Sequence, residues 1–128
     1  LTVGGNFYFS GVTSITTATG QLVMTGSGVT ITGKSWSGAN TLHIVTINQG
    51  ASVTVANALQ ARNLTLNGTL SIGSGVTMWM DGATSVAIGS TGVLSGSGAF
   101  RWYKPGASQT WTIAAGATVS RVAGVPRA

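Results

Sequence analysis

The chain has no cysteine, two prolines and a single acidic residue in 128 positions. Without cysteine there are no disulfides, no thiolate metal sites and no thiol nucleophile. The lone acid, Asp81, leaves glycoside hydrolysis by the usual pair of carboxylates without a partner group. It also leaves calcium without the several carboxylate oxygens it normally takes. Charged residues make up only 5% of the chain, against roughly 25% in ordinary globular proteins. No apolar run reaches the length of a membrane-spanning helix, so no membrane insertion is expected. Helix formers are scarce. The best helical window, Ala56 to Asn63, has neither a cap nor a sustained 3.6-residue period.

The shortage of charge does not signal disorder, because hydrophobic residues are 43% of the chain. The net charge of +5 comes from Lys34, Arg62, Arg101, Lys104, Arg121 and Arg127 set against Asp81. These are scattered, whereas a phosphate-tracking groove needs them on one face. No nucleic-acid partner is therefore expected. His43 is the only histidine and no G-x-S-x-G elbow accompanies it, so it reads as a strand residue beside Ile44. Asp81, next to Gly82, reads as a turn residue. The string from Gly28 to Ser35 matches G-x-x-x-x-G-K-[ST]. It lacks a following helix and an acidic metal ligand, and is set aside. The expectation is a non-enzyme with no cofactor and no metal.

What the chain has in abundance is glycine, 20 residues, set among Ser, Thr and alternating aliphatics. In LTLNGTLSIGSG, from Leu64 to Gly75, apolar Leu64, Leu66, Leu70 and Ile72 alternate with hydroxyl residues. That period of two puts aliphatics on one strand face and hydroxyls on the other. Similar strand–turn–strand phrases centre on Gly5, Gly28, Gly50, Gly68, Gly92 and Gly116, a mean step of about 22 residues. NGTLSIGSG and TGVLSGSG, from Asn67 and Thr91, keep a step of 24, and Trp79 and Trp102 one of 23.

A step of this size holds one circuit of a coil. The fold expected is all-β, a β-solenoid of about six irregular coils of about 22 residues. The alternative is an antiparallel β-sandwich with strand exchange, since the turn spacing suits that too. Residues 1–128 form a single β domain, with terminal segments 1–10 and 120–128 able to extend or exchange. Val29/Ile31, Val53/Val55, Leu70/Ile72, a Val93 or Leu94 position and Val119 are expected to stack as an inward ladder. The chain opens at Leu1 and not at Met, as a processed or incomplete chain does.

A short solenoid exposes unpaired backbone and apolar side chains at both ends, and repeat proteins normally cap them. Charge and proline, the usual guards of open edges, are nearly absent here. The ends are therefore expected to pair with copies of the same chain, through Leu1, Val3, Phe7, Phe9, Val119, Val122 and Val125. The function expected is that of a structural subunit of a self-assembling extracellular filament or surface fibre. The alternative is a cell-surface adhesin or glycan-binding module, with Trp79, Trp102, Tyr103 and Trp111 as glycan or interface aromatics. Asn63-Leu64-Thr65 and Asn67-Gly68-Thr69 spell N-glycosylation sequons.

SGANT (Ser37 to Thr41), LTLNGTLSIGSG and GSTGVLSGSG resemble the Gly/Thr/Asn-rich repeats of autotransporter passenger domains and filamentous-haemagglutinin-like adhesins. The resemblance covers about half the chain. It implies a stacked β-architecture, a secreted or surface location and a structural or adhesive role, and it carries no catalytic residues. Proteins of that kind are longer and richer in acids, so a version of this length is expected to reach extent by self-assembly.

Overall fold

The computed structural model describes residues 1–9, 20–33, 42–102 and 108–120. These residues form strands and turns only. They are β1 (Thr2–Val3), β2 (Phe7–Tyr8), β3 (Gln21–Met24), β4 (Ser27–Thr32), β5 (Leu42–Ile47), β6 (Ser52–Val55) and β7 (Leu59–Leu66). There follow β8 (Thr69–Ile72), β9 (Thr77–Ile88), β10 (Val93–Gly96), β11 (Ala99–Trp102), β12 (Gln109–Ile113) and β13 (Thr118–Val119).

Two parallel sheets share these strands. One runs β1-β3-β5-β7-β9-β11, with β12 also beside β9, and the other β2-β4-β6-β8-β10-β13. Consecutive strands along the chain alternate between the sheets, except that β11 and β12 both pair with β9 in the first, so each circuit adds one layer to both. This is a β-solenoid of about four full turns at roughly 22-residue spacing. Six strand levels stand in each sheet; the outermost are β1 and β11 with β12 in the first and β2 and β13 in the second, and of these β1, β2 and β13 are two residues long. Every pairing between described strands is parallel, so the antiparallel sandwich does not apply. Segment 1–9 pairs with its own chain, Thr2 beside Val23 and Phe7 beside Ile31.

Alternation fixes what lies inside. In the second sheet Val29, Val53, Leu70, Leu94 and Val119 form one inward column, and Ile31, Val55 and Ile72 another. Leu94, fully buried, takes the inward place, and Val93 the outward one. In the first sheet Leu22, Val45, Leu64, Val86 and Trp111 stack in one column. Met24, Ile47, Leu66, Ile88 and Ile113 stack in the next. Burying one such aliphatic contributes about 1.5–3 kcal/mol. Five levels of them offset the cost of ordering long-range parallel pairings.

Hydroxyls occupy the outer positions. Ser52, Thr69 and Thr118 share one outward column, with Val93 between the last two. Thr30, Thr54, Ser71 and Ser95 make the neighbouring column.

The six repeated glycines all fall at or beside the corner that joins the first sheet to the second. The tight turns there close through Ala51 N–H to Asn48 O (3.0 Å), Gly92 N–H to Gly89 O (2.9 Å) and Ala117 N–H to Ala114 O (3.1 Å). Gly50 and Gly116 take φ of 84° and 91°, left-handed values that a side chain disfavours. Gly68 has a different reason. A Cβ there would lie 2.2 Å from Asn48 O and 2.5 Å from Ala51 O, because the turn of the preceding circuit passes directly over it.

Two sequence readings need correction. The 23-residue spacing of Trp79 and Trp102 is one residue out of register, because Trp79 lies beside Arg101 and Trp102 beside Met80. Asp81 is not a turn residue. It lies within β9 and is 7% exposed, where the register with β7 shifts between Ala61 and Asn63. Arg62 alone stands opposite residues 81–84 at this bend, so β9 bulges there.

Candidate functional surfaces

Four surfaces follow from this geometry: the two ends, the outer strip around Trp79, and one corner. At the N-terminal end Leu1 is 74% exposed and Tyr8 64%, and Val3 and Phe7 are half-buried. Phe9 is buried and packs against Phe7 with ring centroids 5.4 Å apart. At the other end Trp111, Ile113 and Val119 are half-buried, although their columns are fully enclosed one or two levels below. Strands β1, β2, β12 and β13 hold no charged residue and no proline. Val122 and Val125 lie outside the described residues.

The aromatic candidates do not share a face. Trp111 belongs to an inward column and meets the buried Phe100 edge-on at 5.3 Å. Trp79 lies in the outward register, between Gln60 and Arg101, and is half-buried. Of Trp102 only the backbone register is described, and Tyr103 lies outside the described residues.

On the first sheet, polar groups are held away from water beside Trp79 on β7 and, further off, on β5. Gln60 is 2% exposed, and neither its Nε2 nor its Oε1 has a hydrogen-bond partner. His43 Nδ1 is buried and unpartnered as well. His43 sits on β5 and Asp81 on β9, with β7 between them, so the two are separated by two strand spacings, about 10 Å. Among the described residues no group of three or more His, Asp or Glu is placed to hold a metal ion. No helix of the described residues is long and apolar enough to cross a membrane.

The corner between the sheets carries a feature absent from the sequence reading. Successive circuits turn it with different lengths. Asn48 to Ala51 and Gly89 to Gly92 are four-residue turns, but the circuit between them turns on Asn67 and Gly68 alone. Ser52 therefore pairs with Thr69, 17 positions on, whereas Thr69 pairs with Val93, 24 positions on. The short corner recedes between two projecting ones and leaves a notch. Its volume is about 460 Å³, lined by Asn48, Gln49, Asn67, Ser90 and Thr91. The Thr91 hydroxyl donates to Asn67 O at 2.7 Å and fixes the upper wall. A signal was present in the sequence: the step between Gly50 and Gly68 is the shortest of the series, and a shortened circuit must recede somewhere.

The two sequons differ in setting. Asn63 is engaged with adjacent circuits, donating to His43 O at 3.5 Å and accepting from Ser85 N–H at 3.2 Å. Asn67 opens onto the notch. No protein-family model, no curated protein and no solved structure matches this chain.

Proposed function

We propose that this chain is a structural subunit of an extracellular filament or surface fibre, assembled by continuing its ladders from one copy into the next. The observation that carries the reading is the state of the end columns. Trp111, Ile113 and Val119 at one end, and Leu1, Val3 and Phe7 at the other, hold the inward register of a core yet stay partly in water. A second copy stacked in the same sense sets Trp111 over Leu1 and Ile113 over Val3, the partners that the column register prescribes. It also pairs the free backbone edges of β12 and β13 with those of β1 and β2. Strands β1, β2, β12 and β13 carry no charged side chain to oppose the contact, and Arg101 on β11 is the one charged side chain on a terminal strand among the described residues. Stacking of this kind is head-to-tail and does not close, so it propagates.

Electron microscopy and sedimentation of the purified chain test this. Wild type is expected to form fibres one solenoid wide. Val3→Lys and Ile113→Lys, each placing a charge in one end, are expected to leave monomers with an unchanged β-type circular dichroism spectrum. Dispersed wild-type monomers at high concentration sink the reading.

The adhesin reading draws on a different observation. Trp79 is the one candidate aromatic among the described side chains that holds an outward register. A glycan array probed with wild type and Trp79→Ala tests it, and equal binding by the two removes Trp79 from that role.

A further inference from the structure

The geometry points to a saccharide-binding site in the corner notch, selective for neutral sugars and independent of whether subunits assemble. The notch joins three successive circuits. Asn48 and Gln49 form one wall, Ser90 and Thr91 the other, and Asn67 the floor. None of the Asn48, Gln49 and Asn67 carboxamides holds a hydrogen-bond partner among the described residues, whereas the Asn63 carboxamide one corner away engages both neighbouring circuits.

Each free carboxamide offers one acceptor oxygen and two N–H donors. That set complements vicinal sugar hydroxyls, each of which both donates and accepts. The Thr91 hydroxyl gives its proton to Asn67 O and so keeps its lone pairs for a ligand donor. No charged side chain lines the notch, so nothing there favours a uronate or a sialic acid over a neutral hexose.

Size supports the assignment. A water molecule occupies about 30 Å³ of liquid, and small-molecule sites span about 300–1,000 Å³. The 460 Å³ notch, open to solvent, is large enough for a pyranose ring. The floor is closely packed. A Cβ at Gly89 would lie 2.2 Å from Asn67 Oδ1, so the carboxamide oxygen lies close to the next turn. The backbone at Gly68 passes just as closely beneath Asn48 O. With no aromatic platform in the lining, affinity is set by hydrogen bonds that compete with water, and a Kd on the order of 1 mM follows.

Side-chain amide resonances report directly on this site. The ¹⁵N-labelled full chain is titrated with cellohexaose, maltohexaose and mannohexaose, with oligogalacturonate as the acidic control. If wild type forms fibres, the Ile113→Lys chain is used, so that failure of assembly and failure of binding are separate results. The expected outcome is saturable shifts of the Asn48, Gln49 and Asn67 side-chain amides with at least one neutral sugar. Asn67→Ala is expected to weaken binding about tenfold or more at unchanged circular dichroism. Should Asn67→Ala not fold, Gln49→Ala at the exposed turn tip takes its place with a severalfold loss. Absence of shifts with all three neutral sugars at about ten times the expected Kd, shifts untouched by either substitution, or equal binding of oligogalacturonate would overturn the proposal.

Discussion

The Asn63 carboxamide oxygen accepts the backbone N–H of Ser85 at 3.2 Å, one circuit further along the solenoid. A side chain here satisfies a donor at the point where the strand register between β7 and β9 shifts. Asn63→Ala removes the acceptor and is expected to cost about 1 kcal/mol. Asn63→Asp keeps the acceptor but loses the donor to His43 O, and should recover only part of that. Urea denaturation of the two variants, compared at equal m-values, checks it.

Glycines at the corner between the sheets separate two kinds of constraint. Gly68→Ala forces a methyl against Asn48 O and Ala51 O and is expected to destabilise by about 1–3 kcal/mol, as overpacking does. Gly50 has open space around it but a φ of 84°, so Gly50→Ala should cost about 1–2 kcal/mol through backbone strain alone. Gly5 has neither constraint, and Gly5→Ala should change stability by less than about 0.5 kcal/mol. Equal effects at the three positions would contradict the packing at this corner.

Adjacent residues on β10 distinguish the two faces of the second sheet. Leu94 is fully buried between Leu70 and Val119, and Leu94→Ala should cost about 2–5 kcal/mol. Val93 faces outward beside Thr69, and Val93→Thr there should stay within about 1 kcal/mol. Thermal melts followed by far-ultraviolet circular dichroism give both values.

Gln60 offers the reverse experiment. Its carboxamide is buried with neither end hydrogen-bonded. A polar group left so costs about 1–3 kcal/mol, and Gln60→Leu, similar in volume, should stabilise the chain by part of that amount. A destabilised Gln60→Leu chain would show that the carboxamide has a partner in solution.

Much of this architecture could be read from residues alone, for a physical reason. Val29, Val53, Leu70 and Val119 betray their column because a parallel ladder requires like residues at like positions in every circuit. The glycines at 50, 68, 92 and 116 betray the corner because the backbone there must either take a left-handed turn or pass close under another circuit. Asp81 was opaque for the opposite reason. An acid beside a glycine has turn chemistry, and only the register shift opposite Arg62 shows a bulged strand in its place. Trp79 and Trp102 mislead similarly, since their spacing is one position longer than the backbone register between β9 and β11. The notch was hidden because it comes from a difference in corner length between circuits and not from any motif.

Unequal corners have a last consequence, for engineering. The tips at Gln49-Gly50 and Ser90-Thr91 project from circuits two levels apart, with the receding Asn67-Gly68 between them. Chemical tags attached at Gln49 and Ser90 would stand about 10 Å apart along the axis, set by strand separation and not by loop flexibility. The molecule is thus graduated like a ruler, and a dye or metal chelate on each tip turns that spacing into a calibration standard.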